Sequence, residues 1–233
     1  QFPLKEIYKS QIKSENKVIL FADTFNINFE IQNLMYSIKV LNKFGYEVII
    51  PSFDNDNLKR PLCCGRTYIS YGQLDKVEEE LNRFVNYILV NGYYDMPIVG
   101  IEPSCLLTFS DEFKTLRNDK NRDKLKNKFY LLEEFVLEQI NEGNKVSLNK
   151  FDQNVLIHGH CHQKSQDRIK GLTGLLSKLN ISNKMIDSSC CGMAGSFGYS
   201  SKNYDVSKKM ANLSLIPACL LYTSPSPRDS SQS

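Results

Sequence analysis

The triplet Cys-Cys-Gly occurs twice in this 233-residue chain, at Cys63-Cys64-Gly65 and at Cys190-Cys191-Gly192, and each copy closes a similar run of sequence. Adjacent cysteines are uncommon, and two pairs in matching surroundings imply a duplicated unit. The duplication constrains the fold before any other feature does: two related halves, each delivering a cysteine pair to a loop. Thiols grouped at loop positions, with no apolar run of a secretion signal within residues 1–17, point to metal or redox chemistry ahead of disulfides.

Hydrophobic periodicity fills in the units. Residues 18–21 form an apolar run that stops at Asp23-Thr24 and reads as a buried strand. Ile31, Leu34, Met35, Ile38 and Leu41 mark a helical stripe over 31–44, closed by Gly45, a residue suited to end a helix. Residues 46–50 are β-rich and stop at Pro51. A polar loop then leads to the first triplet. Leu74, Val77, Leu81, Phe84, Val85 and Ile88 mark a second amphipathic helix, and 97–101 a third strand ahead of Glu102-Pro103-Ser104-Cys105.

The second half follows the same plan. The offset that carries Val18 onto Val155 also carries Thr24 onto Cys161. A helix near 171–179, a strand at 184–186 and the second triplet follow. Phe129, Leu132, Phe135, Val136 and Ile140 read as a helix connecting the halves. The expected fold class is α/β: two duplicated β-α-β-α-β units with mostly parallel sheets and cysteine-bearing loops at the strand ends. Ligands of such sheets gather at those ends. The expected organisation is 1–17 as a linker from an upstream domain, 18–127 as the first unit and 128–150 as a connecting helix and linker. Residues 151–218 follow as a second, truncated unit, and 219–233 as a polar tail foreign to the fold. Cys219, at that junction, receives no role.

A net charge of +3, from 29 basic and 26 acidic residues, is too small to argue for nucleic acid or an anionic membrane surface. The basic run 120–128 alternates with polar residues and reads as a solvated helix face. No apolar run approaches the ~18 residues that cross a bilayer. These features suit a reducing, cytoplasmic compartment, with peripheral attachment to the inner membrane open through a partner.

Six cysteines are candidate metal ligands: Cys161, Cys190 and Cys191 first, then Cys63, Cys64 and Cys105. Iron–sulfur clusters are held by cysteine thiolates. An adjacent pair chelates one iron poorly but can aim its sulfurs at neighbouring sites. Gly65 and Gly192 remove a Cβ where a cluster needs close backbone approach, and the run 192–198, with Gly195, offers N–H groups to sulfur. Packing as small hydrophobes explains one buried cysteine better than it explains two duplicated triplets.

The stretch His158-Gly159-His160-Cys161-His162 holds all three histidines of the chain. Mixed His and Cys donors favour tetrahedral zinc, with His160 the candidate. Strict alternation would set the three histidines on one face and Cys161 on the other. Spacing leaves zinc and iron–sulfur both open. Arg66 could pair with an anionic cluster or with a carboxylate. Asp23, Asp111 and Glu112 read as surface residues ahead of catalytic ones. The Gly192/Gly195/Gly198 spacing is not the dinucleotide fingerprint, and Ser196 is not in a nucleophile elbow.

Taken together, five segments resemble a known family: Phe21-Ala22-Asp23-Thr24-Phe25, Cys63-Cys64-Gly65-Arg66, 100–107, 158–164 and 190–199. They are similar to the cysteine-rich CCG domain in the carboxy-terminal part of FAD- and iron–sulfur-dependent 2-hydroxy-acid dehydrogenases. Those are of the D-lactate, glycolate and D-2-hydroxyglutarate type, and the resemblance spans about 20–218. It implies a four-iron cluster on these cysteines and an electron-transfer role. Electrons would come from reduced FAD in an upstream flavin domain, joined by ferredoxin-like domains, and leave to a quinone or electron-transfer protein. It implies no catalytic residue within this segment. The alternatives are a separate iron–sulfur subunit, as in anaerobic glycerol-3-phosphate dehydrogenase or heterodisulfide reductase, and a zinc-stabilised interaction module. The sequence departs from the pattern in places. Thr24 stands where related repeats carry a cysteine, and the family's last cysteine has no counterpart before the tail. Thr67 and Ser110 replace the usual Pro and Arg.

Overall fold

The computed structural model describes residues 12–51, 61–112, 123–125, 127–144, 154–188, 190–193 and 197–223. The chain divides into two compact units between Leu148 and Asn149. In the first, β1 (Lys17–Phe21) leads through a short α1 (Thr24–Asn28) and α2 (Ile31–Lys43) to β2 (Glu47–Ile49). Past the first triplet come α3 (Arg66–Ser70), α4 (Leu74–Val90) and β3 (Ile98–Gly100). Then follow α5 (Pro103–Ser110), β4 (Phe129–Leu131) and α6 (Leu132–Asn141). The four strands pair in parallel in the order β2-β1-β3-β4.

β1 shows why the chain folds this way. Val18 to Phe21 are all buried, the mark of a parallel strand covered on both faces. Because side chains alternate along a strand, Ile19 and Phe21 enter one apolar cluster while Val18 and Leu20 enter another. α2 covers the second cluster with Leu34, Ile38 and Leu41 and ends before Gly45, whose φ is +87°. α4 covers the first with Val77, Leu81, Phe84 and Ile88. Phe84 lies against Phe21, Phe109 and Phe129, with ring centroids 5.4, 4.7 and 6.4 Å away.

The stretch 128–150 differs from the expected connecting helix. Phe129–Leu131 pairs with β3 as a fourth strand, and the chain turns helical only at Leu132. The Glu134 carboxylate accepts from the Leu131 N–H at 2.8 Å and starts that helix. Phe135 then packs into the second cluster, so both elements belong to the first unit. Three apolar residues ahead of a helical stripe fit either reading, which hid the strand.

In the second unit, β5 (Val155–Ile157) is followed by α7 (Cys161–Ser165), α8 (Ile169–Lys178) and β6 (Asn183–Met185). After the second triplet come 3-10 turns at Phe197–Tyr199 and Ser201–Asn203, then α9 (Tyr204–Asn212) and α10 (Leu215–Thr223). β5 and β6 pair in parallel, as β1 and β2 do. The plan of strand, short helix, longer helix, strand, triplet and helix therefore recurs, and the expected α/β class with parallel sheets holds. Thr24 and Cys161 each open the short helix after the first strand of their unit. Helix α10 runs on past Ala218 to Thr223, through the start of the tail expected over 219–233. The Ser/Pro run 224–233, most of the proposed linker 1–17 and part of the basic run 120–128 lie outside the described residues. Among the described residues, no helix is long and apolar enough to cross a membrane.

Candidate metal centre

In the first unit β1 and β3 are neighbours, and a carboxylate follows each strand two residues on. Asp23 caps α1, accepting from the Asn26 backbone N–H at 3.0 Å and its Nδ2 at 2.7 Å. Glu102 caps α5, accepting from the Ser104 N–H at 3.1 Å and its Oγ at 2.5 Å. Asp23 is 1% exposed, so the expected surface role gives way to a buried helix cap. Burial lifts its pKa above the ordinary value, against the pull of its bonds to Asn26. The sequence did carry the signal. A carboxylate just past a strand, and Pro103 at the first helical position, are both helix-start marks.

Cys105 lies in the first turn of α5, buried beside these caps, and Cys64 is buried with it; Cys63 is half-buried. Thiol–thiol interactions link Cys63 to Cys64 and Cys64 to Cys105. All three thiols hold their protons more tightly than usual. For Cys63 the chief cause is the hydrogen bond to Cys64, followed by burial. For Cys64 it is the hydrogen bond to Cys105. At Cys105 the bond from Cys64 pulls the other way, but burial and the charges of Asp23 and Glu102 outweigh it. Thiols packed this closely lose their protons together only against a compensating positive charge.

The backbone turns its N–H groups on the same sulfurs. Gly65 sits at φ +76° as the cap of α3, and its N–H points at Cys63 Sγ, 3.4 Å away. The Arg66 N–H lies 3.5 Å from Cys64 Sγ. The Arg66 guanidinium pairs with Glu112, which chooses the carboxylate among its two expected partners.

The second unit repeats this turn. Gly192 has φ +83°, and its N–H points at Cys190 Sγ, again at 3.4 Å. Cys161 is exposed and interacts with Cys190. Partial burial, then the neighbouring Cys190 and Cys191, raise its pKa. The expected alternation of histidines fails because α7 begins at Cys161. His160 caps that helix through Nδ1, which accepts from the His162 N–H at 3.2 Å, and the two rings stack 5.3 Å apart. His158 Nδ1 instead meets Ser188 Oγ at 2.7 Å. Lys164 Nζ donates to the Ser188 carbonyl at 2.6 Å. Burial and the Lys164 charge hold the His158 pKa below its ordinary value.

The structure links sulfur to sulfur in both units, while His160 Nδ1 is engaged by the His162 N–H. Among the described residues, no group of three or more His, Cys, Asp or Glu side chains is arranged to hold a metal ion. Soft thiols with N–H groups aimed at them are the donor chemistry that an iron–sulfur centre would draw on. Gly195 lies outside the described residues.

No protein-family model matches the chain. It is 25% identical over 207 residues to one subunit of the anaerobic glycerol-3-phosphate dehydrogenase of Escherichia coli (strain K12), covering 88% of this chain and 50% of that one. It is 23% identical over 212 residues to the D-2-hydroxyglutarate dehydrogenase of Pantoea ananatis (strain AJ13355), covering 89% and 19%. The D-2-hydroxyglutarate dehydrogenase of Escherichia coli (strain K12) matches at 19% over 204 residues, covering 84% and 18%. The chain thus spans half the length of the first protein and about a fifth of the others. It is similar to a region that dehydrogenases carry in a separate subunit in one case and within a much longer chain in the others.

Proposed function

We propose that this region is an iron–sulfur electron-transfer module of a dehydrogenase, with Cys63, Cys64 and Cys105 as ligands in the first unit and Cys161, Cys190 and Cys191 in the second. The observation that carries the reading is the gathering of three thiols at the end of the first sheet under backbone N–H groups, repeated around the second triplet. A bound cluster would supply one-electron transfer. The chain's own contribution is to bury the first set of sulfurs, to supply N–H donors from Gly65, Arg66 and Gly192, and to keep its carboxylates engaged as helix caps. Hydrogen bonds to ligand sulfur are among the means by which a protein tunes such centres.

The finer reading is that electrons arrive from reduced FAD in an upstream region that oxidises a 2-hydroxy acid, and leave to a quinone or electron-transfer protein. The match to half of the glycerol-3-phosphate dehydrogenase polypeptide favours a second reading, in which the region serves as a separate iron–sulfur subunit beside a flavoprotein. Anaerobic purification with iron and acid-labile sulfide analysis tests the common core of both. The expected result is iron and sulfide together, with visible absorption that bleaches on reduction, and less iron in Cys64→Ser and Cys105→Ser. Protein with neither iron nor sulfide would overturn the reading. So would stoichiometric zinc without colour, removed by a chelator with loss of folding. Bleaching of the complete enzyme by a 2-hydroxy acid or by glycerol 3-phosphate distinguishes the finer readings.

A further inference from the structure

We propose that one stripe of α4 is a clamp that presents the first cysteine pair, with Arg83 as its positioning residue. Val77, Glu80 and Arg83 stand three residues apart along α4; Val77 and Arg83 touch the segment 61–65, and Glu80 holds Arg83. Val77 lies under Gly65 so closely that a Cβ there would meet its Cγ1 at 3.2 Å. Glu80 is 0% exposed, an unusual place for a carboxylate in the middle of a helix. Arg83 pairs with it at 2.7 Å and also donates to the Pro61 carbonyl at 3.4 Å. A buried carboxylate thus holds a guanidinium, and the guanidinium holds the backbone two residues before Cys63. Pro61 has no N–H of its own, so its carbonyl is the one backbone handle that residue offers. Glu80 also places negative charge near the Cys63 sulfur, so the clamp sets the local field as well as the position.

The inference rests on the ligand reading above, and its test is built to fail separately. Apoprotein is alkylated with iodoacetamide, and the rate at each cysteine is followed by peptide mass spectrometry, with Cys161 as the internal control. Arg83→Ala leaves a buried charge uncompensated and invites misfolding, so the double variant Glu80→Gln/Arg83→Met is measured beside it. Loss of the hook is expected to speed alkylation of Cys63 by roughly tenfold in a folded variant, the size of change that one lost guanidinium hydrogen bond supports, with Cys161 unchanged. Arg83→Lys should restore part of the protection. A folded double variant with wild-type Cys63 reactivity overturns the clamp, as does equal acceleration at Cys63 and Cys161, which marks general loosening. In loaded protein, Glu80→Gln should shift the reduction potential of the first-unit centre upward, because a negative charge beside it is gone. If wild-type protein binds no iron, the ligand reading fails while the alkylation rates still decide the clamp.

Discussion

Gly65 and Gly192 do the same work under different constraints. An L-residue in the left-handed region costs about 1–2 kcal/mol, and Gly65→Ala should destabilise the first unit by at least about that much, because a Cβ would press on Val77, its backbone Cα included, without overlapping it. At Gly192 a Cβ would overlap the Ser207 carbonyl, which is helix backbone and cannot rotate aside. Urea unfolding is therefore expected to show a larger loss for Gly192→Ala, above about 2 kcal/mol once overpacking is added. A wild-type midpoint for that variant would contradict the close approach of α9. Asp23 gives a pH signature. Its folded pKa lies above the ordinary 3.8, so the stability tied to its protonated form is complete below that value. That stability is lost as pH rises through the folded value. Asp23→Asn keeps a cap acceptor and removes the titration, so its stability curve between pH 4 and 7 should lack that decline. At this scale the cysteines and glycines were legible because their chemistry is rare. Asp23 was misread because an aspartate is usually exposed, and Glu80 passed unseen because a single glutamate inside an apolar stripe looks like its polar edge.

The longer elements were readable from periodicity because their burial is one-sided or complete. The stripes on α2 and α4 read as helices from their period, and the continuous run in β1 reads as a strand because it is short and stops at Asp23-Thr24. The short helices α1, α3 and α7 were not readable, since five residues complete barely more than one turn; side-chain caps start α1 and α7, and a left-handed glycine starts α3. β4 was lost for the related reason that a three-residue strand shares its apolar positions with the helix that follows. The element to probe is α4, whose Phe84 touches three other aromatic rings. Phe84→Ala is expected to cost about 3–5 kcal/mol, read as a lower denaturation midpoint of the first unit. A loss below about 1 kcal/mol would mean that the aromatic cluster is not the core of that unit.

At the scale of the whole chain, the duplication was visible as a repeated offset, and the structure gives it a reason: each unit uses the same strand, short helix and turn to bring sulfur to the ends of its strands. Thr24 is the place where the repeats differ in chemistry while agreeing in position. Thr24→Cys supplies the thiol that the second unit has at Cys161, and iron per chain after anaerobic reconstitution should rise. An unchanged content would show that equivalent position does not make an equivalent ligand.

The two sets of sulfurs also differ in how far they lie from water: Cys64 and Cys105 are buried, while Cys161 is exposed. That difference is a difference in traffic. Whatever arrives from solution, whether an iron donor, a chelator or an oxidant, reaches Cys161 directly and Cys64 and Cys105 only when the structure locally opens, with Cys63, Cys190 and Cys191 between them. Filling and emptying should each proceed in two phases, the exposed set fast and the buried set slow. If both proposed clusters are present, a brief exposure to air would then leave protein that has lost one and kept the other.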